Sequence, residues 1–396
     1  MASVVGRLKY EDLKHLVKRV TLELVPGVET EFVDRDRALV QIVEWSERST
    51  RFPVVVFGPE GCGKSAFLRQ AAEALGEFGF DVVYVDAAHR DFVAYTDVAE
   101  VARRLLDAAS DASGLAQLKL AYLAVDLAKE LIGRWGKKKV AVLVDEVFQA
   151  VGLDKAGIYV KSLLNLIEYP PRSYEKIVAI VVTSEGVTRE EIGRHLWAEL
   201  RPMWNMPREG FQQLYEKLPG PKPPFEDVWG WTGGNPRMLG RLYENGWDVE
   251  EVVLRLMREK DLTAEFVRRW GRWLEAAVED PEVLWTDDVP EELVKELEAR
   301  NLKPNRIQHV RQKTQLLGRP AAPREGSRAG HWEKRRLADP HTQRGCEEGS
   351  ERGLASIESF NPSFEIPGPL DRSPRILLSI SAAVKSSAAA RPRQLQ

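Results

Sequence analysis

The sequence predicts an α/β fold in which a doubly wound parallel sheet is followed by a small all-helical lid domain and an irregular C-terminal tail. Three observations support this prediction. Short, continuous apolar runs bounded by turn residues recur in the first half of the chain, which is typical of strands buried on both faces of a sheet. Segments with helical periodicity separate these runs. Beyond about residue 202 only helical periodicity continues, and beyond about residue 302 it is lost.

The first elements of the chain are short. Residues 1–30 predict a short helix and a strand-like VTLELV that ends in a Pro-Gly turn. The segment FVDRDRALVQIVEWSE follows and has the periodicity of a helix over Arg37–Glu47. Asp34 precedes this helix and is a candidate N-cap, because its carboxylate can accept hydrogen bonds from the free amides of the first turn.

Four buried strands are predicted in the first half of the chain, over residues 52–57, 80–87, 138–147 and 176–186. The segments between them predict helices: SAFLRQAAEALGEFG, TDVAEVARRLLDAAS, LAQLKLAYLAVDLAKELIGRW and KAGIYVKSLLNLIEY. Strands that alternate with helices in this way indicate a parallel sheet with helices on both faces.

Amphipathic helices alone are predicted next: PREGFQQLYEKL, NPRMLGRLYEN, VEEVVLRLMREK, TAEFVRRWGRWLEAAVE and PEELVKELEARNL. We therefore predict domains over residues 1–201 and 202–302. The tryptophans of this region are most simply its core: Trp204, Trp229, Trp231, Trp247, Trp270 and Trp273. An aromatic platform for nucleic acid is less favoured, because basic residues do not interleave with them on one face.

The tail, residues 303–396, is rich in Arg, Pro, Ser, Ala and Gly. It holds 17 Lys and Arg against 9 Asp and Glu, a charge of +8, whereas the whole chain carries −3 and the remainder therefore −11. This composition predicts a disordered segment. An aberrant segment produced by a frameshift would have the same appearance. The acidic body argues mildly against a nucleic-acid-coating surface there.

Composition also predicts the compartment. The sequence has no apolar stretch of about 18 residues for a membrane span and no apolar segment of a signal peptide at its start. We therefore expect a cytoplasmic protein without a membrane partner. Of the two cysteines, Cys62 and Cys346, the first lies in a glycine-rich loop that a disulfide would distort.

The segment GPEGCGKS, residues 58–65, matches the pattern G-x-x-x-x-G-K-[ST] between a buried strand and a helix. Glycines let such a loop wrap closely around phosphate, and the following helix directs its positive end at the anion. Lys64 is expected to neutralise the β- and γ-phosphates, and the Ser65 hydroxyl to bind Mg²⁺. The predicted ligand is ATP or another nucleoside triphosphate. The candidate binding residues are Gly58, Pro59, Glu60, Gly61, Cys62, Gly63, Lys64, Ser65 and Ala66.

Two carboxylates end the strand VAVLVDEV and therefore lie at the carboxyl edge of the sheet, where ligands bind in such folds. Asp145 is predicted to hold Mg²⁺ through water, and Glu146 to orient and deprotonate the attacking water. A pair of solvated acids at a strand end is the simpler structural interpretation of the same two residues.

The strand IVAIVVTSEG also ends in polar residues. Thr183 or Ser184 is a candidate sensor of the γ-phosphate or of the attacking water, although a turn or cap role is nearly as compatible with the sequence. Arg189 and Arg194 follow, and either is a candidate for stabilising transition-state charge, in cis or from a neighbouring subunit. Exposed arginines are usually only solvated. His195 is more simply a surface or capping residue.

The segment WTGGNPRML begins a helix of the lid region. Its glycines and proline predict a rigid turn and a helix start. Pro236 is a candidate for packing on the base, and Arg237 for reaching the phosphates.

The segment from about residue 20 to about residue 300 resembles archaeal ATPases of the STAND class, which are related to the AAA+ proteins. The resemblance rests on FVDRDRAL, VVVFGPEGCGKS, VAVLVDEVFQA, IVAIVVTSEGVTR and GGNPR. FVDRDRAL resembles the family segment F-x-G-R-x-x-E-L, which implies that Arg35 lies beside the adenine, although Asp34 and Ala38 replace the usual Gly and Glu. GGNPR resembles the lid motif G-x-P through Gly234, Asn235 and Pro236. The start of a C-terminal winged helix is present at LWTDDVPEELVKELEARNL, after which the sequence departs.

The combined pattern predicts an ATP-driven switch in which water attacks the γ-phosphate, with protein partners or self-association possible. Two alternatives stay open at this point. One is a nucleic-acid-acting AAA+ ATPase similar to archaeal replication initiators, and the other is a nucleotide-binding scaffold without significant hydrolysis.

Overall fold

A six-stranded sheet forms the centre of the protein, with strand order β5-β4-β6-β7-β3-β8. The computed structural model describes residues 21–31, 33–183, 192, 196–279, 283–284, 286, 288–300 and 302. The predicted first helix and the tail over 303–396 lie outside these residues. The strands are β1 (Thr21–Val25), β2 (Val28–Glu31), β3 (Val54–Phe57), β4 (Asp81–Asp86), β5 (Asp91–Tyr95), β6 (Lys139–Asp145), β7 (Lys176–Thr183) and β8 (Glu199–Pro202).

The four predicted sheet strands are confirmed as β3, β4, β6 and β7, which lie side by side and parallel. Successive residues of these strands alternate between two apolar clusters. Val55, Val83 and Val142 belong to one cluster, whereas Val54, Val82 and Ala141 belong to the other. Burial on both faces explains why the sequence shows continuous apolar runs rather than alternation.

Helices cover both faces of the sheet. The helices of the first half are α1 (Asp36–Arg48), α2 (Lys64–Glu77), α3 (Ala99–Ala109), α4 (Ala116–Gly133), α5 (Val147–Val151) and α6 (Ala156–Glu168). One face packs against α1 and α2, and the opposite face packs against α3 to α6. The sheet and its two helical layers form the doubly wound α/β fold that the sequence predicts.

Two strands of the six-stranded sheet differ from the sequence expectation. The strand β5 forms an antiparallel hairpin with β4, in the register Val82↔Tyr95 to Asp86↔Asp91. The short strand β8 adds a parallel edge next to β3. Neither was predicted, because both are terminal strands with few fully buried residues and therefore lack a continuous apolar run.

The predicted helices of the second half are also present. They are α7 (Arg208–Lys217), α8 (Phe225–Thr232), α9 (Pro236–Glu244), α10 (Val249–Glu259), α11 (Ala264–Glu279) and α12 (Glu291–Ala299). Only α8 was not predicted, since its eight residues are too few for a clear period. The boundaries proposed at residues 201 and 302 stay predictions.

Aromatic side chains make up much of the core of this helical segment. Phe211 packs edge-on against Trp229, with ring centroids 5.5 Å apart, and Phe225 stacks on Trp229 at 6.2 Å. Trp270 is buried in a second cluster with α12. The tryptophans therefore contribute packing. The hairpin of β1 and β2 also joins this segment, because Leu24 and Val28 pack in the cluster of α7 to α9.

No described helix has both the length and the apolar character needed to cross a membrane.

Candidate functional site

The glycine-rich loop connects β3 to α2 and has the backbone conformation that its glycines permit. Gly61 and Gly63 have φ values of 78° and 96°, in the left-handed region. Gly58 is required for another reason, since a Cβ at this position would lie 1.9 Å from the Met203 carbonyl oxygen. The loop is therefore packed directly against the residues that follow β8.

The Lys64 ammonium lies inside this loop. Its Nζ donates to the Gly58 carbonyl at 3.0 Å and to the Pro59 carbonyl at 2.8 Å, and the side chain is buried. Cys62 is a buried free thiol that donates to the Met203 carbonyl at 3.5 Å. The first amides of α2, including that of Ser65, have no carbonyl partner within the helix. A buried cation beside free helix amides makes this loop a site for a phosphate group.

Asp145 ends β6 beside the loop and is buried. Neither of its carboxylate oxygens has a partner with hydrogen-bond geometry among the described residues. Burial raises the pKa of Asp145 to about 7, and the nearby Asp86 and Glu146 carboxylates act in the same direction against the Ser65 hydroxyl and Lys64. An unpartnered buried carboxylate next to a serine hydroxyl is a donor set that fits Mg²⁺.

Glu146 follows in a left-handed conformation, with φ 45° and ψ 34°, and occupies the N-cap position of α5. This conformation costs a non-glycine residue about 1 kcal/mol or more. The Gln149 amide donates to the Glu146 carboxylate at 3.4 Å. The strained turn directs the chain away from the sheet immediately after Asp145, so the two acids do not continue the strand.

Thr183 is the last residue of β7 and is buried. It pairs in register with Phe57, the residue before the glycine-rich loop. Three adjacent strands thus bring the loop, the acidic pair and Thr183 to one edge of the sheet. Ser184, Arg189, Arg194 and His195 lie outside the described residues.

The Arg35 side chain is buried and supports the glycine-rich loop through hydrogen bonds. Its guanidinium donates to the Cys62 carbonyl at 2.5 Å and to the Trp204 carbonyl at 3.2 Å, and burial lowers its pKa. The prediction that Asp34 caps α1 is wrong. Arg35 occupies the N-cap position without a side-chain cap, and both Asp34 and Arg35 have positive φ. The chain therefore turns before the helix, and Asp34 lies against Gly210 instead.

The turn that precedes α9 contacts the opposite side of the loop. Asn235 Nδ2 donates to the Glu60 carbonyl at 2.9 Å and to Asn205 Oδ1 at 3.0 Å, while its Oδ1 caps the helix by accepting from the Met238 amide at 3.1 Å. Pro236 is the first residue of this helix. The Arg237 amide donates to the Gly61 carbonyl at 3.3 Å, and its guanidinium pairs with the Glu60 carboxylate.

Comparison with known protein families matches residues 32–242 to an ATPase domain found predominantly in Archaea. The chain belongs to this family. It is therefore an ATPase domain of the P-loop class, which agrees with the loop described above. A search of the curated proteins finds no match.

Several solved structures are similar to this chain at low identity. Cdc6p from Pyrobaculum aerophilum has a TM-score of 0.36 and 13% identity over 60% of this chain and 72% of its own. AMPPCP-bound DnaA from Aquifex aeolicus has a TM-score of 0.32 and 17% identity over 66% and 75%. A RuvB variant from Thermotoga maritima has a TM-score of 0.33 and 12% identity over 69% and 88%.

The sequence did not predict that several further residues lie near the site of the ATPase domain. Asn205 and the carbonyls of Met203 and Trp204 follow the unpredicted strand β8, so nothing in the sequence placed them at the loop. Lys260 directly follows α10, and its Nζ lies 3.1 Å from the Glu60 carboxylate. Asp86 was detectable as a polar residue that ends a buried strand. It lies in register with Asp145 and accepts from the backbone amide and Nδ1 of His89, at 3.0 and 2.9 Å.

Proposed function

We propose that this ATPase domain is an ATP-driven molecular switch of the STAND type, which binds ATP with Mg²⁺ and hydrolyses it. One observation carries the proposal. The buried Lys64 ammonium, the unpartnered Asp145 carboxylate and the strained Glu146 all lie at the carboxyl edge of three adjacent strands. Binding sites of open α/β sheets occur at this edge.

In the proposed reaction, water attacks the γ-phosphorus in line with the β–γ bridging oxygen. The new P–O bond forms to the water oxygen, the bridging P–O bond breaks, and Glu146 accepts the proton. Lys64 leaves the carbonyls of Gly58 and Pro59 to pair with the phosphates. Ser65 and Asp145 would hold Mg²⁺, which neutralises developing charge on the phosphate oxygens. Thr183, the last residue of β7, is proposed to orient the attacking water.

The switch itself depends on the contacts between the loop and the helical segment. Asn235 and Arg237 contact the backbone of Glu60 and Gly61 directly. A change in loop conformation during the nucleotide cycle therefore acts on α9 without an intermediate element. Arg35 and Pro236 are proposed to complete the nucleotide site, the first as support of the loop and the second beside the base.

Two variants test the binding and hydrolysis steps. Lys64→Ala should weaken ATP binding by at least about 100-fold, because it removes the main phosphate cation. Glu146→Gln should preserve binding and abolish phosphate release, because an amide cannot accept the proton. The exposed Lys119→Ala is a matched control and should retain both activities. Normal ATP affinity in Lys64→Ala would refute the assignment of the loop.

Further outcomes of these assays distinguish the alternatives. Tight ATP binding without phosphate release in the parent protein would indicate a scaffold. Salt-sensitive retention on DNA would favour a nucleic-acid-acting ATPase.

If Arg189 or Arg194 acts on a neighbouring subunit, specific activity should rise with protein concentration. Mixing an arginine variant with Glu146→Gln should then restore turnover, because each supplies the part that the other lacks.

A further inference from the structure

Glu60 places a carboxylate in a loop that otherwise presents donors and a lysine to an anion. An uncompensated carboxylate at this position would repel a polyphosphate, since like charges a few ångströms apart oppose each other even near a protein surface. The charge of Glu60 therefore matters for the nucleotide proposed to bind here.

Two cations of the helical segment compensate this charge. Arg237, near the start of α9, and Lys260, after the end of α10, pair with the two different carboxylate oxygens of Glu60. The Glu60 side chain is 42% exposed, and those of Arg237 and Lys260 are 51% and 23% exposed. Partial burial raises the pKa of Glu60, but Lys260 and then Arg237 outweigh it and hold that pKa below its usual value.

Backbone contacts fix the position of this ion-pair group. The Asn235 side chain donates through Nδ2 to the Glu60 carbonyl at 2.9 Å, and the Arg237 backbone amide donates to the Gly61 carbonyl at 3.3 Å. A Cβ on Gly61 would lie 2.4 Å from the Arg237 Cβ, so the two segments are in close contact. In this docked arrangement both cations reach the Glu60 carboxylate.

We propose that Glu60 couples nucleotide affinity to the docking of the helical segment on the phosphate loop. When the segment is docked, Arg237 and Lys260 neutralise the carboxylate, and the loop accepts polyphosphate. When it moves away, the exposed carboxylate repels the same ligand and promotes release. This inference rests on the proposed function, because it assumes that the loop binds a nucleoside triphosphate.

Lys260 provides the sharpest test, because it contacts the carboxylate of Glu60 and not the loop backbone. Binding of a non-hydrolysable ATP analogue is measured by calorimetry for the full chain. Lys260→Gln should weaken binding by about threefold to tenfold, because it leaves part of the Glu60 charge uncompensated. Glu60→Gln should bind as tightly as the parent or up to about threefold more tightly, since no repulsion remains. Lys260→Arg should bind as the parent does.

The double variant Glu60→Gln with Lys260→Gln decides between coupling and direct contact. We expect it to bind like Glu60→Gln alone, because Lys260 has no carboxylate left to neutralise. The effect of Lys260→Gln should also shrink in high salt. Glu226→Gln is the matched control, since it removes a carboxylate of the same segment that pairs with Arg208. It should leave affinity unchanged.

Lys260→Gln could lower affinity equally in the parent protein and in the Glu60→Gln variant. That result would overturn the proposal and indicate that Lys260 acts on the ligand itself. An unchanged affinity of Lys260→Gln in the parent background would overturn it as well. Both results leave nucleotide binding by the parent intact, whereas a parent protein that binds no analogue would refute the proposed function instead. Thermal unfolding of each variant establishes that the changes are not due to loss of folding.

Discussion

The sheet edge and the helical segment contact the same phosphate loop in different ways. On the sheet side the polar groups are buried: the Arg35 guanidinium donates to the Cys62 carbonyl of the loop, and the Asp145 carboxylate lies beside the loop. The helical segment contacts the loop through the buried Asn235 side chain and also through partly exposed ion pairs of Glu60. Buried polar groups have large energetic effects, whereas exposed ion pairs contribute about 1 kcal/mol or less. The sheet side therefore holds the loop through buried groups, whereas the ion pairs on the helical side can be broken at small cost.

The largest effect is expected at Asp145. Its folded-state pKa is raised from 3.8 to about 7, so protonation stabilises the folded state, and this stabilisation is lost as pH rises from about 4 through 7. Asp145→Asn removes the charge. In buffer without Mg²⁺ it should be more stable than the parent at pH 8, by up to about 4 kcal/mol, and nearly equal at pH 4.

Thermal or urea unfolding at several pH values measures this difference. The exposed Asp126→Asn is the control and should follow the parent at every pH. A constant difference between Asp145→Asn and the parent from pH 4 to 8 would show that burial does not govern the titration of this carboxyl.

Arg35 should have the next largest effect on stability. Arg35→Met keeps much of the apolar volume but removes the donors to the Cys62 and Trp204 carbonyls. Leaving the buried Cys62 carbonyl and the partly buried Trp204 carbonyl unpaired costs about 1–3 kcal/mol each, so we expect a loss of about 3 kcal/mol in unfolding free energy. Arg37→Met, at an exposed position of α1, should change stability by less than about 0.5 kcal/mol. Equal stabilities of the two variants would contradict the supporting role of Arg35.

On the helical side the effect of Asn235 should be intermediate. Asn235→Ala removes the cap of α9 and the donor to the Glu60 carbonyl. Loss of a helix cap costs about 1 kcal/mol, and the loop contact adds about as much. Asn235→Asp should restore the cap but not the donor, so its stability should lie between those of the parent and Asn235→Ala. Denaturant unfolding of the three proteins tests this order.

Arg237 should show the smallest stability effect. Its partly exposed pair with Glu60 is worth about 1 kcal/mol or less, so Arg237→Gln should lower the melting temperature only slightly. A loss as large as that in Arg35→Met would remove the contrast between the two sides of the loop.

The sequence predicted the sheet side of this contrast better than the helical side. The long apolar runs that end at Phe57, Asp145 and Thr183 determine both the strands and the edge at which they end. Contacts made by short or exposed elements were not predictable in the same way. The residues after β8 reach the loop through a four-residue strand, and Lys260 reaches Glu60 only through the packing of α9 and α10.

Local conformations outside the usual preferences were also missed. The left-handed backbone at Asp34 and Arg35 is imposed by the contacts that Arg35 makes, not by helix capping propensity. The positive φ of Glu146 is another example, since nothing in VLVDEV distinguishes a strained turn from a strand that continues. Both positions belong to the candidate site, where strain is retained because surrounding contacts hold it.

The terminal strands of the sheet also affect its tendency to aggregate. An open β edge can pair with another chain, and charged residues on short edge strands oppose such pairing. In β5 the Asp91 carboxylate pairs with Arg69, and in the four-residue β8 Glu199 pairs with Arg201. We expect these charges to oppose edge-to-edge pairing with the sheets of neighbouring molecules. Apolar substitutions at Asp91 or Glu199 would therefore reduce solubility before they reduced stability.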